Sequence, residues 1–279
     1  MSKGDWQKAL KSAGAVVITG GSSGIGEIFI DRILKLGEET AVCNISRRSP
    51  GKNFAKDRIL HIGCDLSDAN AAAEAADRAL AFCGEHARGH ILLINNSGFG
   101  SCGFFPEPEI SENLDMIAVN TAAPVLLTAR LLPELKRRGG WILNVASTAA
   151  FQPTPYLAVY GATKAFLLHW SLALDAELRG TPARAMALCP GPTSTAFFQR
   201  AGFSRPVVSD RWGQTPEEVV DHALAALARG KRLTVPGWSN RLLSSLSSLV
   251  PKSLSAGISE RILRRYRLQM LSGGDDSNE

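Results

Sequence analysis

Tyr160 and Lys164 stand four residues apart in the helical run Tyr160-Gly161-Ala162-Thr163-Lys164, which puts both side chains on one helix face. An ammonium beside a phenol favours the phenolate, so the pair is expected to draw the phenol's ordinary pKa of about 10 toward neutrality. A phenol tuned in this way can protonate a carbonyl oxygen while hydride arrives at the carbon. Upstream, Asn144-Val145-Ala146-Ser147 closes an apolar run that reads as a strand, setting the Ser147 hydroxyl at the strand's carboxyl end. Open α/β sheets bind their ligands at that edge. Each of these residues is common alone; together they outline an acid–base site.

A hydride needs a carrier. The first apolar run ends in Thr19-Gly20-Gly21-Ser22-Ser23-Gly24-Ile25-Gly26 and passes directly into a helical pattern. Glycines there let the backbone turn tightly and approach a pyrophosphate, whose charge meets the positive end of the helix dipole. The same residues fit the GxSxG elbow of α/β-hydrolases, but that elbow requires earlier strands, and only 19 residues precede the loop. Twenty residues beyond Gly26, where an acid would bind the ribose 2′-hydroxyl of NAD, the chain has Ser46-Arg47-Arg48. Two guanidiniums and no carboxylate suit a 2′-phosphate, so NADP(H) is the expected cofactor.

These groups must be held by a scaffold. Short β-rich runs at 15–19, 40–46, 58–63, 90–95, 141–147, 184–188 and 232–235 alternate with helical patterns at 24–37, 67–83, 111–137, 156–179 and 216–229. Such alternation predicts a seven-stranded parallel sheet covered on both faces, a single doubly wound α/β domain over 10–238. A helical extension is expected over 239–271, and a disordered tail over 272–279.

With 45% apolar and 20% charged residues, the 279-residue chain has ordinary globular usage, which excludes disordered, collagen-like and coiled-coil classes. Cys43, Cys64, Cys83, Cys102 and Cys189 are odd in number and widely spaced, which predicts reduced thiols in a cytoplasmic protein. His61, His86, His90, His169 and His222 form no ligand pattern, so no metal is expected. The N-terminal MSKGDWQKALKSAG lacks a signal-length apolar stretch, and no run of 18 apolar residues occurs. The net charge of +5 permits anionic partners, but no nucleic-acid partner is expected.

Taken together, the motifs over about 12–200 resemble the short-chain dehydrogenase/reductase family, which implies a Rossmann fold, a homodimer or homotetramer, and specific residue roles. Thr19, Gly20, Gly24 and Gly26 meet its TGxxxGxG, with Ser22, Ser23 and Ile25 in the same loop. Asp65, followed by Leu66, falls where the family positions the adenine. Asn95-Asn96-Ser97-Gly98 matches its NNAG turn, with Ser97 in place of alanine, so Asn96 and Gly98 are expected at the cofactor. By the same resemblance Asn120 holds a relay water, Ser147 polarises the carbonyl, Tyr160 is the acid or base, and Lys164 holds the nicotinamide ribose and tunes the phenol. Pro190-Gly191 and then Thr193 and Thr195 fall where the family contacts the carboxamide. An NADP(H)-sensing regulator without turnover is the alternative from another class, yet the four catalytic positions are intact. An epimerase would usually space its glycines as GxxGxxG.

The substrate is less legible. Phe99, Phe104, Phe105, Phe151, Phe197 and Phe198 fall near the expected cleft and favour an apolar carbonyl or alcohol compound. A 3-oxoacyl-carrier-protein reductase is the specific alternative, although such chains usually end soon after the last strand. His169 and Trp170, on the Tyr160 helix, read as core or interface. Residues 229–268 carry nine Lys and Arg against the single acid Glu260, so the remainder is net acidic. At 100° per residue Ile258, Ile262, Leu263, Tyr266 and Met270 share one face and the arginines the other. The expected placement of this basic amphipathic helix is docked on its own domain, with membrane contact or a substrate lid as lesser alternatives.

Overall fold

The computed structural model describes residues 13–36, 39–51, 54, 56–107, 109–202 and 213–271, without the side chains of Lys56, Phe198 and 265–271. The tail expected at 272–279 and the N-terminal dozen lie outside them. Seven strands, β1 (Ala13–Thr19), β2 (Ala41–Ser46), β3 (Ile59–Gly63), β4 (His90–Asn95), β5 (Gly140–Val145), β6 (Ala183–Leu188) and β7 (Leu233–Thr234), form one sheet in the order β3-β2-β1-β4-β5-β6-β7. All pairings are parallel. The order reverses between β1 and β4, and the crevice beyond their carboxyl ends is where such sheets bind ligands.

The strands read as unbroken apolar runs because both faces are covered. Helices α1 (Gly24–Leu36) and α7 (Pro216–Ala228) close one face around Phe29, Ile30, Val219 and Leu224. On the other face α2 (Ala69–His86), α4 (Ala123–Arg138) and α5 (Ala158–Glu177) pack around Ala76, Leu127, Leu131 and Leu174. Asp68 caps α2, accepting from the backbone N of Asn70 and Ala71 at 2.8 and 3.1 Å, so this helix starts later than the sequence pattern suggested.

The helical run expected at 111–137 is α3 (Ile110–Ile117) and α4, joined by a π turn at Ala118–Ala122 that holds Asn120. By length and apolarity alone this 29-residue run is long enough to cross a membrane. It is a core helix here, burying Leu127, Leu131 and Leu135 against the sheet.

Strand β5 ends at Val145, short of Ser147, because Ser147 turns the chain into the 3-10 turn Thr148–Phe151. A short helix, α6 (Phe197–Arg200), follows the loop after β6. Beyond β7 come α8 (Trp238–Leu249) and α9 (Lys252–Leu271). The face of α9 that packs differs from the one the apolar pattern selected. Ser255 and Ser259 are buried, while Ile258 and Ile262 are about half exposed. Anchors in its first half explain the rotation. Tyr156 Oη donates to Glu260 Oε1 at 2.7 Å, and Lys252 Nζ donates to Phe151 O at 2.7 Å.

Candidate active site

A cleft of about 780 Å³ runs along the carboxyl edge of the sheet. At its phosphate end Gly20, Ser22, Ser23, Gly24 and Ile25 line the wall, at the amino terminus of α1. Gly20 has φ of 71°, and a Cβ there would lie 2.8 Å from Ser97 Oγ. Gly26 stands behind the wall, where a Cβ would come within 2.2 Å of Gly20 O. Thr19 is also behind it, its Oγ1 accepting from the backbone N of Asn96 and Ser97 at 3.0 and 2.9 Å. Asn96 returns the contact, with Nδ2 donating to Thr19 O and Gly20 O. Backbone N–H donors at a helix start, approached across Gly20 and Gly24, fit a pyrophosphate.

One holder of this loop was missed by the sequence reading. Asn44, fully buried in β2, accepts from Gly21 N at 2.9 Å through Oδ1 and donates to Ser46 Oγ at 2.8 Å through Nδ2. Its signal was a polar side chain inside the apolar run Ala-Val-Cys-Asn-Ile-Ser. Ser46 Oγ donates in turn to Arg48 O at 2.7 Å, shaping the turn that carries the two arginines. Arg47 and Arg48 line the cleft, with Asp65 and Leu66 beside them. Arg47 leans toward Asp65 at 3.8 Å, both exposed. Hydrogen bonds from Ser67, and more weakly the Arg47 charge, hold the Asp65 carboxyl below its usual range.

At the opposite end Ser147, Tyr160 and Lys164 converge on the cleft, with Gly98 from the β4 loop. A buried polar ladder sets their relative positions. Asn95 and Asn144, opposite each other in β4 and β5, are joined by Asn95 Nδ2 donating to Asn144 Oδ1 at 2.7 Å. Asn144 Nδ2 donates to Ser171 Oγ of α5 at 2.8 Å, fixing the helix that carries the tyrosine. Ser147 caps the 3-10 turn, accepting from Ala149 N at 3.1 Å, and its hydroxyl favours ionisation of the neighbouring Tyr160 phenol.

The tyrosine is not tuned as its spacing from lysine suggested. Burial pushes the Tyr160 phenol up to about 12, against a smaller downward effect of Ser147. Lys164 Nζ lies 5.8 Å from the phenol ring centroid and donates to Val145 O at 2.9 Å. Burial lowers this ammonium to about 8, so desolvation outweighs the attraction expected between the pair in the free protein. The buried Cys189 thiol, also near Ser147 and Lys164, is pushed up to about 12 by desolvation and remains an inert thiol.

Asn120 sits behind the wall rather than in it. Its Nδ2 donates to Phe99 O and Thr163 Oγ1, both at 3.0 Å, and its Oδ1 accepts from Phe99 N at 3.1 Å. The amide thus clamps the β4 loop onto α5, a bracing role beside the one the resemblance implied. A Cβ on Gly98 would lie 3.0 Å from both Asn120 Oδ1 and Lys164 Nζ, so only glycine leaves that space open.

Pro190, Gly191, Thr193 and Thr195 complete the wall after β6. Thr193 Oγ1 donates to Gly191 O at 2.9 Å, and Thr195 packs beside Gly24, bringing the two loops together. On the outer side Phe99 and Phe197 line the cleft, with the Tyr160 and Phe197 ring centroids 5.1 Å apart. Phe104, Phe105 and Phe151 do not line it. Phe104 packs edge-on against Tyr156, Phe105 faces outward, and Phe151 packs beside Ala150 and Leu167. The Phe198 side chain lies outside the described atoms. Ser259, Ile262 and Leu263 of α9 contribute instead, in the direction of the substrate lid that the sequence offered as a lesser alternative to plain docking. Among the described residues no cluster of His, Cys, Asp and Glu could hold a metal.

Comparison with known proteins agrees with this geometry. Residues 14–204 match the family model described as short chain dehydrogenase. The serine 3-dehydrogenase of Rhizobium radiobacter is 32% identical over 191 residues, covering 66% of this chain and 74% of that one. A short chain dehydrogenase of Burkholderia cenocepacia, solved in complex with NADP, superposes with a TM-score of 0.71 at 25% identity over 86% of this chain and 99% of that one. The 3-ketoacyl-(acyl-carrier-protein) reductase of Brucella melitensis, solved with NADH, gives 0.66 at 26% over 79% and 95%. The chain belongs to the short-chain dehydrogenase/reductase family. It is an oxidoreductase of alcohol and carbonyl groups with a nicotinamide cofactor, NAD or NADP.

Proposed function

We propose that the protein is an NADP(H)-dependent reductase of an apolar ketone or aldehyde, or the dehydrogenase of the corresponding alcohol. The observation that carries this reading is a single cleft with a phosphate loop and two arginines at one end and the Ser147–Tyr160 pair beneath an apolar wall at the other. Gly20, Ser22, Ser23, Gly24 and Ile25 would hold the pyrophosphate, Arg47 and Arg48 the 2′-phosphate, and Asp65 and Leu66 the adenine. Lys164 would hold the ribose beside the nicotinamide. The cofactor supplies or accepts the hydride. Ser147 orients the carbonyl oxygen, and Tyr160, protonated through the neutral range because of its burial, donates the proton to it. Phe99, Phe197, Ile262 and Leu263 exclude water from the reacting carbon.

Oxidation of NADPH and NADH against a panel of apolar and polar ketones tests both halves of the reading. Efficient turnover of apolar ketones with NADPH is expected; equal efficiency with the two cofactors contradicts the cofactor assignment. A carrier-bound 3-oxoacyl group is the second reading, favoured by the similarity to the Brucella reductase and by the basic segment 229–268. We further propose a cytoplasmic homo-oligomer joined through α4 and α5, where Val125 and Phe166 are exposed and Phe166 stacks on Trp170 beside the exposed His169. Light scattering of wild type and Phe166→Ser checks it. A monomeric wild type contradicts it.

A further inference from the structure

The two C-terminal helices are built inside out. Helix α8 turns Ser244 toward the protein, while Trp238, Leu242, Leu246 and Leu249, at i, i+4, i+8 and i+11, face outward. Trp238 is 76% exposed and Leu249 82%. Helix α9 repeats the arrangement, with Ser255 and Ser259 buried one turn apart and Leu254, Ile258 and Ile262 exposed at the same spacing. Hydration of so many large apolar side chains is unfavourable, and soluble surfaces keep such a stripe where something covers it.

Charge says what the cover is. No Asp or Glu occurs from 229 to 259, and Arg241, Lys252 and Arg261 are exposed on these two helices. The acid that follows, Glu260, is already engaged by Tyr156 and Arg264. Apolar side chains flanked by cations fit the acyl and headgroup layers of an anionic bilayer. A second copy of this chain fits less well, because a two-fold contact would set the basic rim against itself.

Ile262 belongs both to the exposed row and to the cleft wall, so the outward face of α9 and the substrate space share a side chain. We infer that α8 and α9 dock the protein on an anionic lipid surface and open the cleft toward it, so that substrate enters from the lipid. The docking stands on the surface alone; the route of entry rests on the apolar-substrate reading of the site.

Co-sedimentation of the full-length protein with vesicles of phosphatidylcholine, alone and mixed with phosphatidylglycerol, tests the docking. The protein should pellet with the mixed vesicles. Binding should weaken about tenfold or more with added salt, in Leu242→Ser/Leu246→Ser, and in Arg241→Gln/Arg261→Gln. Both double variants should keep wild-type turnover of a small water-soluble ketone, which shows that they fold. No pelleting with mixed vesicles overturns the docking, as does equal, salt-insensitive binding to neutral ones. An oligomer that dissociates in the leucine variant, without vesicle binding, reassigns the face to contacts between copies. Turnover of an apolar ketone, added in solution and dissolved in vesicles, separates the two claims. Pelleting without such turnover removes the route of entry, and turnover without pelleting removes the docking and the route with it while leaving the apolar-substrate reading standing.

Discussion

Tyr160 is the residue on which the chemistry turns. Tyr160→Phe removes the proton donor but touches no cofactor-binding group, so it should lower turnover about 10²- to 10⁴-fold while leaving NADPH affinity near wild type. Kinetics together with cofactor fluorescence titration check both parts. The ionisation has its own signature. A group pushed up to about 12 keeps its proton through pH 10, so the ultraviolet difference between wild type and Tyr160→Phe should show no tyrosinate until strongly alkaline pH. Tyrosinate appearing near neutrality in the cofactor-free protein would instead mean that the Lys164 charge prevails over burial. At the other end of the cleft, Arg47→Asp removes a cation and adds an anion facing the proposed 2′-phosphate. It should cut the preference for NADPH over NADH by about tenfold to a hundredfold, read as the ratio of kcat/KM values. The motif residues were legible because their types and spacings are chemical requirements. Their ionisation was not, because it depends on burial, and spacing along a helix says nothing of solvent.

At the scale of elements, the loops are held by buried polar side chains that a hydrophobic pattern does not display. Asn44→Ala strips the hydrogen bond from Gly21 N and the support under Ser46. It should cost about 1–3 kcal/mol of stability and weaken cofactor binding, measured by thermal unfolding with and without NADPH. An unchanged cofactor affinity would detach Asn44 from the phosphate loop. The strands were readable as apolar runs, but their order was not, since one-handed parallel connections allow more than one order. The end of β5 was not readable, since the turn at Ser147 is made by a serine cap and by Thr148 N donating to Pro190 O at 2.9 Å, a partner far along the chain. Helix α9 shows the same limit. Its apolar residues pointed to one face, whereas Tyr156, Phe151 and two buried serines rotate another inward. Tyr156→Phe, which deletes the hydrogen bond to Glu260, should raise KM for the carbonyl substrate severalfold with kcat nearly unchanged, because it loosens the wall and leaves Tyr160 in place. A fall in kcat alone would argue that α9 has no part in binding.

For the molecule as a whole, the central claim is that one cleft joins a nicotinamide cofactor to an apolar carbonyl compound through Tyr160. Fold class and cofactor end were legible in the sequence because the glycine loop, the alternation of strands and helices and the acid–base residues are each local or regularly spaced. The substrate end was not, because it is assembled from Phe99, Phe197, Ile262 and Leu263, which come from three distant parts of the chain and are joined only by folding. The most direct measurement is the loss of NADPH absorbance when full-length wild type and Tyr160→Phe are offered the same graded series of ketones, from small and polar to bulky and apolar. The account predicts wild-type turnover that rises with apolar bulk and collapses across the whole series in Tyr160→Phe. Turnover confined to small polar ketones, or retained in the phenylalanine variant, would contradict it.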